Sequence, residues 1–495
     1  MTTISKESKL HQRRRRTTTR LVSILVISSS FLLLVTLSNF GPPAINENEN
    51  HNHVSNQRDN LILNIGLRQP RHTKPDKRKQ KEQDGDNALL DMRRVLVDEN
   101  NDDNHTTLRE AALSILTASV QLVDIATVHG YTIHDDSYTG IIAEFCTVNF
   151  NAQKDDPPSH PMFRDVLSQS PACTDRIRVD LASAVALVRE YDDSSSSTSG
   201  RKDEDEVKPT ILNLRGVVFH ESRCGSTLAA NTMVALDPTS NRVYSESGPP
   251  ATAMRICGED YSDCTREASA YLLQDVVYLM SRSNDDKEEN LFFKFQSVTS
   301  RTMESFRIAF PTTPWIFLYR KPIEVMMSQL NVPQTSMANC VRSRKNSPMV
   351  KSFVMKIKGN IYKPNSDEEY CAVHLATICQ SALWNLIDAD GLGVAAEYNP
   401  NLVDDFLGTI FPKHFHIPVD DEANKRVLAI AGTYSKNRGG GKRVKEKGGK
   451  FVPDGDEKER KASDEMKEAA ALFLLPTFEQ LNESKYKIRS VEETD

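Results

Sequence analysis

Hydrophobic and polar positions divide this chain of 495 residues into stretches of different character. The first apolar run is Leu21–Leu37, uncharged and carried on by Ser38, Asn39 and Phe40 to a length of 20 residues. A helix of that length crosses a hydrocarbon core of about 30 Å. Residues 41–105 have almost no core-building pattern (NENENHNH, RHTKPDKRKQKEQDGDN, DENNDDN) and read as a disordered stem. Within Leu108–Val128, Leu113, Leu116, Val120, Val123 and Ile125 recur at helical spacing. Ile177–Val188 repeats the pattern, so residues 106–191 are expected to form a small helical region of unassigned role. A Ser tract and mixed charge (DDSSSSTSGRKDEDE) mark a linker over 192–207.

Past the linker the pattern changes. Short, dense, β-prone runs at Val217–Phe219, Arg242–Ser245, Leu291–Phe295 and Trp315–Tyr319 alternate with helical patterns at Ser226–Ala235 and Leu272–Met280. Runs apolar on both faces, each followed by a helix, predict an α/β fold with a parallel β-sheet covered on both sides, spanning 208–490. Asp464–Leu481 reads as a closing helix containing Pro476.

Charge then orients the chain. Residues 1–20 carry Lys6, Lys9, Arg13, Arg14, Arg15, Arg16 and Arg20 against one acid, Glu7. A basic tail before an apolar span predicts a cytosolic tail (1–20), a signal anchor (21–40) and a lumenal remainder. A cleaved signal peptide is the competing reading, but the apolar run is long and SNFGPPA offers no small-x-small cleavage site. Asn104-His-Thr106 and Asn482-Glu-Ser484 fit the glycosylation pattern of a lumenal chain. The net charge of −6 gives no footprint for a nucleic-acid partner. Among eight cysteines, Cys257–Cys264 and Cys371–Cys379 are candidate short bridges, although spacing does not fix connectivity.

Candidate chemistry gathers at two strand ends. Phe219-His220-Glu221-Ser222-Arg223-Cys224-Gly225-Ser226-Thr227 takes a strand into a turn with a cation, a glycine and two hydroxyls, and a helix follows. Free N–H groups at that helix start and a glycine that lets the backbone approach suit an oxyanion. The nucleotide-triphosphatase spacing GxxxxGK[ST] is absent. The second end is Trp315-Ile-Phe-Leu-Tyr319-Arg320-Lys-Pro-Ile-Glu-Val-Met-Met-Ser328, with Ser328 two turns into the next helix. Together the segments resemble the two signatures of sulfotransferases that use 3′-phosphoadenosine 5′-phosphosulfate (PAPS), a P-loop-like 5′-phosphosulfate turn and the R(x)7S 3′-phosphate motif. Their order and their separation of 97 residues agree with that family, and the resemblance is clearest over 216–330.

The resemblance implies that Arg223, Cys224, Gly225, Ser226 and Thr227 form the phosphosulfate turn, and that Arg320 and Ser328 hold the 3′-phosphate. It implies in-line transfer of the sulfuryl group from PAPS, without metal or covalent enzyme intermediate, to a hydroxyl acceptor on a glycan, protein or small molecule. The anchor predicts a single-pass chain with a lumenal domain, and with it the resemblance implies Golgi membrane placement. Glu246, 23 residues after Arg223, is the candidate base, Lys294 the candidate cation for the leaving phosphate, and His220 a second candidate base. A basic, glycine-rich stretch over 436–450 stands where the family has a lid, and a solvated insertion is the alternative. A type II glycosyltransferase is the other class considered; its DxD-like string, Asp454-Gly-Asp456, lies in a polar context. A catalytically inactive tethered module is the third.

Overall fold

In this computed structural model the described residues are 105–174, 176–196, 209–331, 337–342, 347–436 and 454–489. The expected anchor, most of the stem, most of the linker and most of the basic 436–450 stretch lie outside them. Among the described residues no helix is long and apolar enough to cross a membrane.

Five strands make the central sheet: β4 (Asn213–His220), β5 (Asn241–Ser245), β6 (Asn290–Lys294), β7 (Trp315–Tyr319) and β8 (Gly393–Glu397). Their order across the sheet is β8-β7-β4-β6-β5, and every pairing is parallel. The period of two along a strand sorts their side chains between two cores. Phe219, Phe293, Phe295, Trp315, Phe317 and Tyr319 enter the larger one. Val218, Phe292, Ile316 and Leu318 enter the other, with α3 (Ser226–Leu236) and α9 (Asp421–Ala431). α4 (Gly248–Arg255), α5 (Arg266–Ser281), α6 (Met303–Ala309), α7 (Pro322–Leu330) and α8 (Asp367–Ile387) contribute to the larger core. The closing helical run, from Asp464 to Glu483, contains a π-helical segment at Ala470–Leu474 directly before Leu475 and Pro476. Gly216 is where β4 meets Phe415; a Cβ there would stand 2.7 Å from the ring.

The expected helical region is instead mixed. After α1 (His105–Leu116), Gln121–Ile133 is a strand, β1, paired antiparallel with β2 (Tyr138–Cys146), which pairs with β3 (Ile177–Asp180). Only then does α2 (Leu181–Ser196) begin. The spacing Leu116, Val120, Val123 mimics a helix, but QLVDIATVHGYTI is rich in Val, Ile and Thr, which favour strands. The expected linker also starts too early. Asp192 lies in α2, where its carboxylate accepts from Tyr278 Oη (2.6 Å) and from Arg282 Nε (2.9 Å). Tyr138 donates to Asp275 at 2.8 Å, and β1, β2 and β3 share the larger core with the central sheet.

Disulfides join Cys146–Cys173, Cys257–Cys264 and Cys340–Cys371. The expected Cys371–Cys379 bridge does not form. Both residues lie on α8, where eight residues of rise separate them by about 12 Å, far beyond a disulfide's span. Cys224 and Cys379 are buried free thiols. Asn482, the second glycosylation candidate, is half-buried, with its side-chain oxygen accepting from Tyr319 Oη at 2.7 Å.

Candidate functional site

From β4 the chain crosses to β5 and β6 on one side, then to β7 and β8 on the other. The carboxyl end of β4 is therefore the topological switch point, where open parallel sheets bind ligands. All the candidate residues gather at this edge. His220 ends β4, Arg223–Thr227 lead into α3, Glu246 follows β5, Lys294 ends β6, Arg320 follows β7, and Ser328 lies in α7.

The turn after β4 is held in a strained shape. Ser222 (φ 105°), Arg223 (φ 52°) and Gly225 (φ 79°) all have left-handed backbones. Such a conformation costs a non-glycine residue about 1–3 kcal/mol and persists only where the surroundings impose it. Those surroundings are Gln329 Nε2 donating to Ser222 Oγ (2.7 Å), Arg320 Nη1 donating to the Arg223 carbonyl (3.3 Å), and Cys224 Sγ donating to the Leu318 carbonyl (3.1 Å). At Gly225 a Cβ would stand 2.7 Å from Tyr398 Cε2. The helix opens at Ser226, so its first N–H groups have no partner inside it. Ser226 and Thr227 are largely buried, but their hydroxyls are not sealed from solvent and have no partner among the described residues, and the exposed Arg223 makes no ion pair there. Burial, then the nearby Glu221, pushes the Cys224 thiol up to about 12, so it is a neutral packing group.

The second feature is a buried ion pair. Lys294 is fully buried and its ammonium bonds Glu246, whose side chain is one-quarter exposed. Glu246 also has a left-handed backbone (φ 56°). Burial favours its neutral form, but Lys294, and after it His220, outweigh burial and hold the carboxyl down to about 2. Burial lowers the Lys294 pKa and Glu246 opposes that shift. Met162 lies against the pair, its sulfur 4.0 Å from Lys294 Nζ and 3.4 Å from Ser245 Oγ. His220 is buried, Nε2 at 2.9 Å from the Phe295 carbonyl and Nδ1 without a partner. Burial and Lys294 push its pKa down to about 3, so the ring is neutral with the Nε2 proton donated and the Nδ1 lone pair bare.

No family model, curated protein or solved structure matches this chain.

Arg320 joins the turn to a network of its own. Its guanidinium bonds Glu324, lies 3.5 Å from Asp454 Oδ1, and stacks 4.6 Å from the Tyr398 ring centroid. Its backbone N–H donates to Glu221 Oε2 at 3.0 Å. Glu221 is fully buried, and burial drives it up to about 8 against the Arg320 N–H, the Cys379 thiol and the Arg320 charge. Ser328 Oγ donates to the Glu324 carbonyl one turn back (2.8 Å), which leaves its oxygen able to accept but not to donate. α10 (Gly455–Lys461) packs on Glu324 at Gly455, and Asp454 also bonds Lys458 at 2.8 Å. The Asp454-Gly-Asp456 string thus serves an arginine–lysine network. Among the described residues no group of three or more His, Cys, Asp and Glu could hold a metal ion.

Glu221, Met162, Glu324, Tyr398 and Asp454 were not among the residues expected from sequence. Glu221 had a signal, being an acid directly after a dense apolar strand. Tyr398 follows GVAAE, a strand whose glycine and alanines give little β-prone signal, and Asp454 and Met162 reach the site only through tertiary contacts.

Proposed function

We propose that this protein transfers a sulfuryl group from PAPS to a hydroxyl acceptor. The observation that carries the proposal is the convergence, at one switch point, of a strained oxyanion turn (Ser222–Gly225), an arginine bonded to that turn (Arg320), and a carboxylate–lysine pair (Glu246, Lys294). The first two suit a nucleotide with anionic groups at both ends; the third suits proton transfer to and from oxygen.

In the proposed reaction Arg223, the Ser226 and Thr227 hydroxyls and the opening N–H groups of α3 bind the 5′-phosphosulfate. Arg320 and Ser328 bind the 3′-phosphate, which requires the guanidinium to exchange Glu324 or Asp454, and the Ser328 hydroxyl to exchange the Glu324 carbonyl, for the ligand. The acceptor oxygen forms a bond to sulfur as the bond from sulfur to the 5′-phosphate oxygen breaks, and the electron pair leaves with adenosine 3′,5′-bisphosphate. The acceptor proton goes to Glu246. Held near 2 by Lys294, Glu246 is a weak base; when Lys294 turns to the leaving phosphate oxygen, burial dominates and its basicity rises. His220, neutral with Nδ1 bare, is the alternative proton acceptor.

The test is transfer of radiolabel from sulfur-labelled PAPS to a panel of glycan, tyrosyl-peptide and small hydroxyl acceptors. Glu246→Gln and Lys294→Met should each abolish transfer, and His220→Asn should spare it. No transfer to any acceptor by the wild-type protein, under conditions where it binds the bisphosphate, would leave a nucleotide-binding module without this activity. Golgi placement of the catalytic domain in the lumen belongs to the same proposal. The three disulfides support an oxidising compartment.

A further inference from the structure

The buried carboxyl groups of Glu288, Asp275 and Glu221 differ in what they face. Glu288 bonds Lys154 and Arg242, and Asp275 bonds Arg189 and Tyr138. Glu221 is buried to the same degree, yet among the described residues it has no ion pair. Its Oε2 accepts the Arg320 N–H, and its Oε1 is sealed from solvent without a hydrogen-bond partner. Its own N–H donates to the Leu318 carbonyl at 2.9 Å, so the two bonds carry the β4–β7 pairing past the end of both strands. The titratable groups facing the carboxyl are the Arg320 guanidinium after β7, the Cys379 thiol of α8 and the Cys224 thiol of the turn. Burial, and after it Glu221, pushes both thiols up, so neither supplies a charge. An ionised carboxylate with one orphaned oxygen in a dry site is costly, whereas the neutral acid is not.

We propose, building on the PAPS reading of this site, that Glu221 is a positioning residue that works as the neutral acid, so that a 3′-phosphate bound at Arg320 draws one proton from solvent onto Glu221. The carboxyl braces the Arg320 backbone directly behind the guanidinium. A negative charge there would repel the phosphate; a carboxylic acid holds the same N–H through Oε2 and repels nothing. The phosphate brings up to two negative charges to the cation whose charge otherwise favours the ionised carboxyl. Binding therefore cancels the charge that opposes protonation, and the buffer supplies the proton. Burial has already brought the group up to about 8 in the free protein, so a small further rise is enough. Below that value the free protein carries the proton and binds with full affinity. Above it, each pH unit should weaken binding about ten-fold.

The full chain is titrated calorimetrically with adenosine 3′,5′-bisphosphate in buffers of different ionisation enthalpy, from about pH 7.5 to 9.5, where phosphates with a second pKa of about 6 are already ionised. Wild type should take up close to one proton per nucleotide at the top of that range. Glu221→Gln keeps an acceptor for the Arg320 N–H; it should lose the uptake and bind at least about five-fold more tightly than wild type at about pH 9. Lys294, its pKa lowered by burial, is the other group able to gain a proton. The uptake should therefore persist in Glu246→Gln with Lys294→Met, where that pair is gone. A test without nucleotide uses the same variant. The raised pKa means that the folded protein keeps a proton the unfolded chain has released, so wild type loses stability relative to Glu221→Gln between pH 4.5 and about 8. The variant's advantage in thermal midpoint should widen over that window and stay constant above it. Proton uptake unchanged by Glu221→Gln, uptake lost in the double variant, or a margin that does not vary with pH overturns the proposal. Folded protein that binds no nucleotide at any pH contradicts the donor reading and takes the coupling with it, whereas binding without Glu221-dependent uptake overturns the coupling alone.

Discussion

Replacing Glu246 by glutamine removes one charge of the buried pair and little volume. Its carboxyl is held from 4.5 to about 2, a shift whose free-energy equivalent is on the order of 3 kcal/mol. Breaking a buried ion pair from one side costs about 3–5 kcal/mol, because the remaining charge stays buried. Glu246→Gln should therefore lower stability by about 3 kcal/mol at pH 7. Since the folded pKa of the glutamate is depressed, its contribution is complete above pH 4.5 and is lost as pH falls towards about 2. Wild type and variant should converge over that window. The cost should also shrink at alkaline pH, where Lys294, its pKa already lowered by burial, gives up its proton. Glu246→Gln with Lys294→Met leaves no buried charge and should recover to within about 1 kcal/mol of wild type. Urea denaturation with disulfides intact, repeated from pH 2 to 9, measures each quantity. A single variant within about 0.5 kcal/mol of wild type at pH 7, or a double variant no more stable than the single, would refute the reasoning.

Gly225→Ala forces a Cβ into a left-handed position and against the Tyr398 ring, which stacks on Arg320. It should cost about 1–3 kcal/mol in thermal unfolding and weaken nucleotide binding, whereas Gly359→Ala, also left-handed but in open space, should leave binding unchanged. Peptide mapping without reduction should recover Cys146–Cys173, Cys257–Cys264 and Cys340–Cys371, with Cys224 and Cys379 alkylated only after unfolding. A Cys371–Cys379 peptide would contradict the fold around α8. If the chain is glycosylated, the glycan should sit on Asn104 and not on Asn482, read by mass after glycosidase treatment.

The parallel sheet was legible because its strands are dense β-prone runs with a turn and a helix after each. Trp315–Tyr319 matches its strand to the residue, and Arg242–Ser245 lacks only Asn241. The strand-end candidates were legible for the same reason: a strand fixes where its following residue lies. The segment before the sheet was misread because β1 is buried only over its first half. From Ala126 to Thr132 β1 is exposed, so no strict alternation marks it as a strand. The partners of Arg320 were hidden for a different reason. Glu324 sits one helical turn away and could be inferred, but Asp454 is 134 residues distant and arrives only through the packing of α10. Likewise Cys340 and Cys371 are joined by tertiary structure that spacing does not encode.

The central claim is that one switch point holds both ends of PAPS. Calorimetric titration of the protein with adenosine 3′,5′-bisphosphate and with 5′-AMP tests it most directly. Tight binding of the bisphosphate, weaker binding of 5′-AMP, and loss of that preference in Arg320→Ala are predicted. A charged hydrogen bond of about 1.5–3 kcal/mol corresponds to about 10- to 150-fold. Because Arg320 also braces the turn, Ser328→Ala serves as a second variant and should narrow the preference without altering thermal unfolding. Equal affinity for the two nucleotides, or no binding of either by folded wild-type protein, would contradict the account.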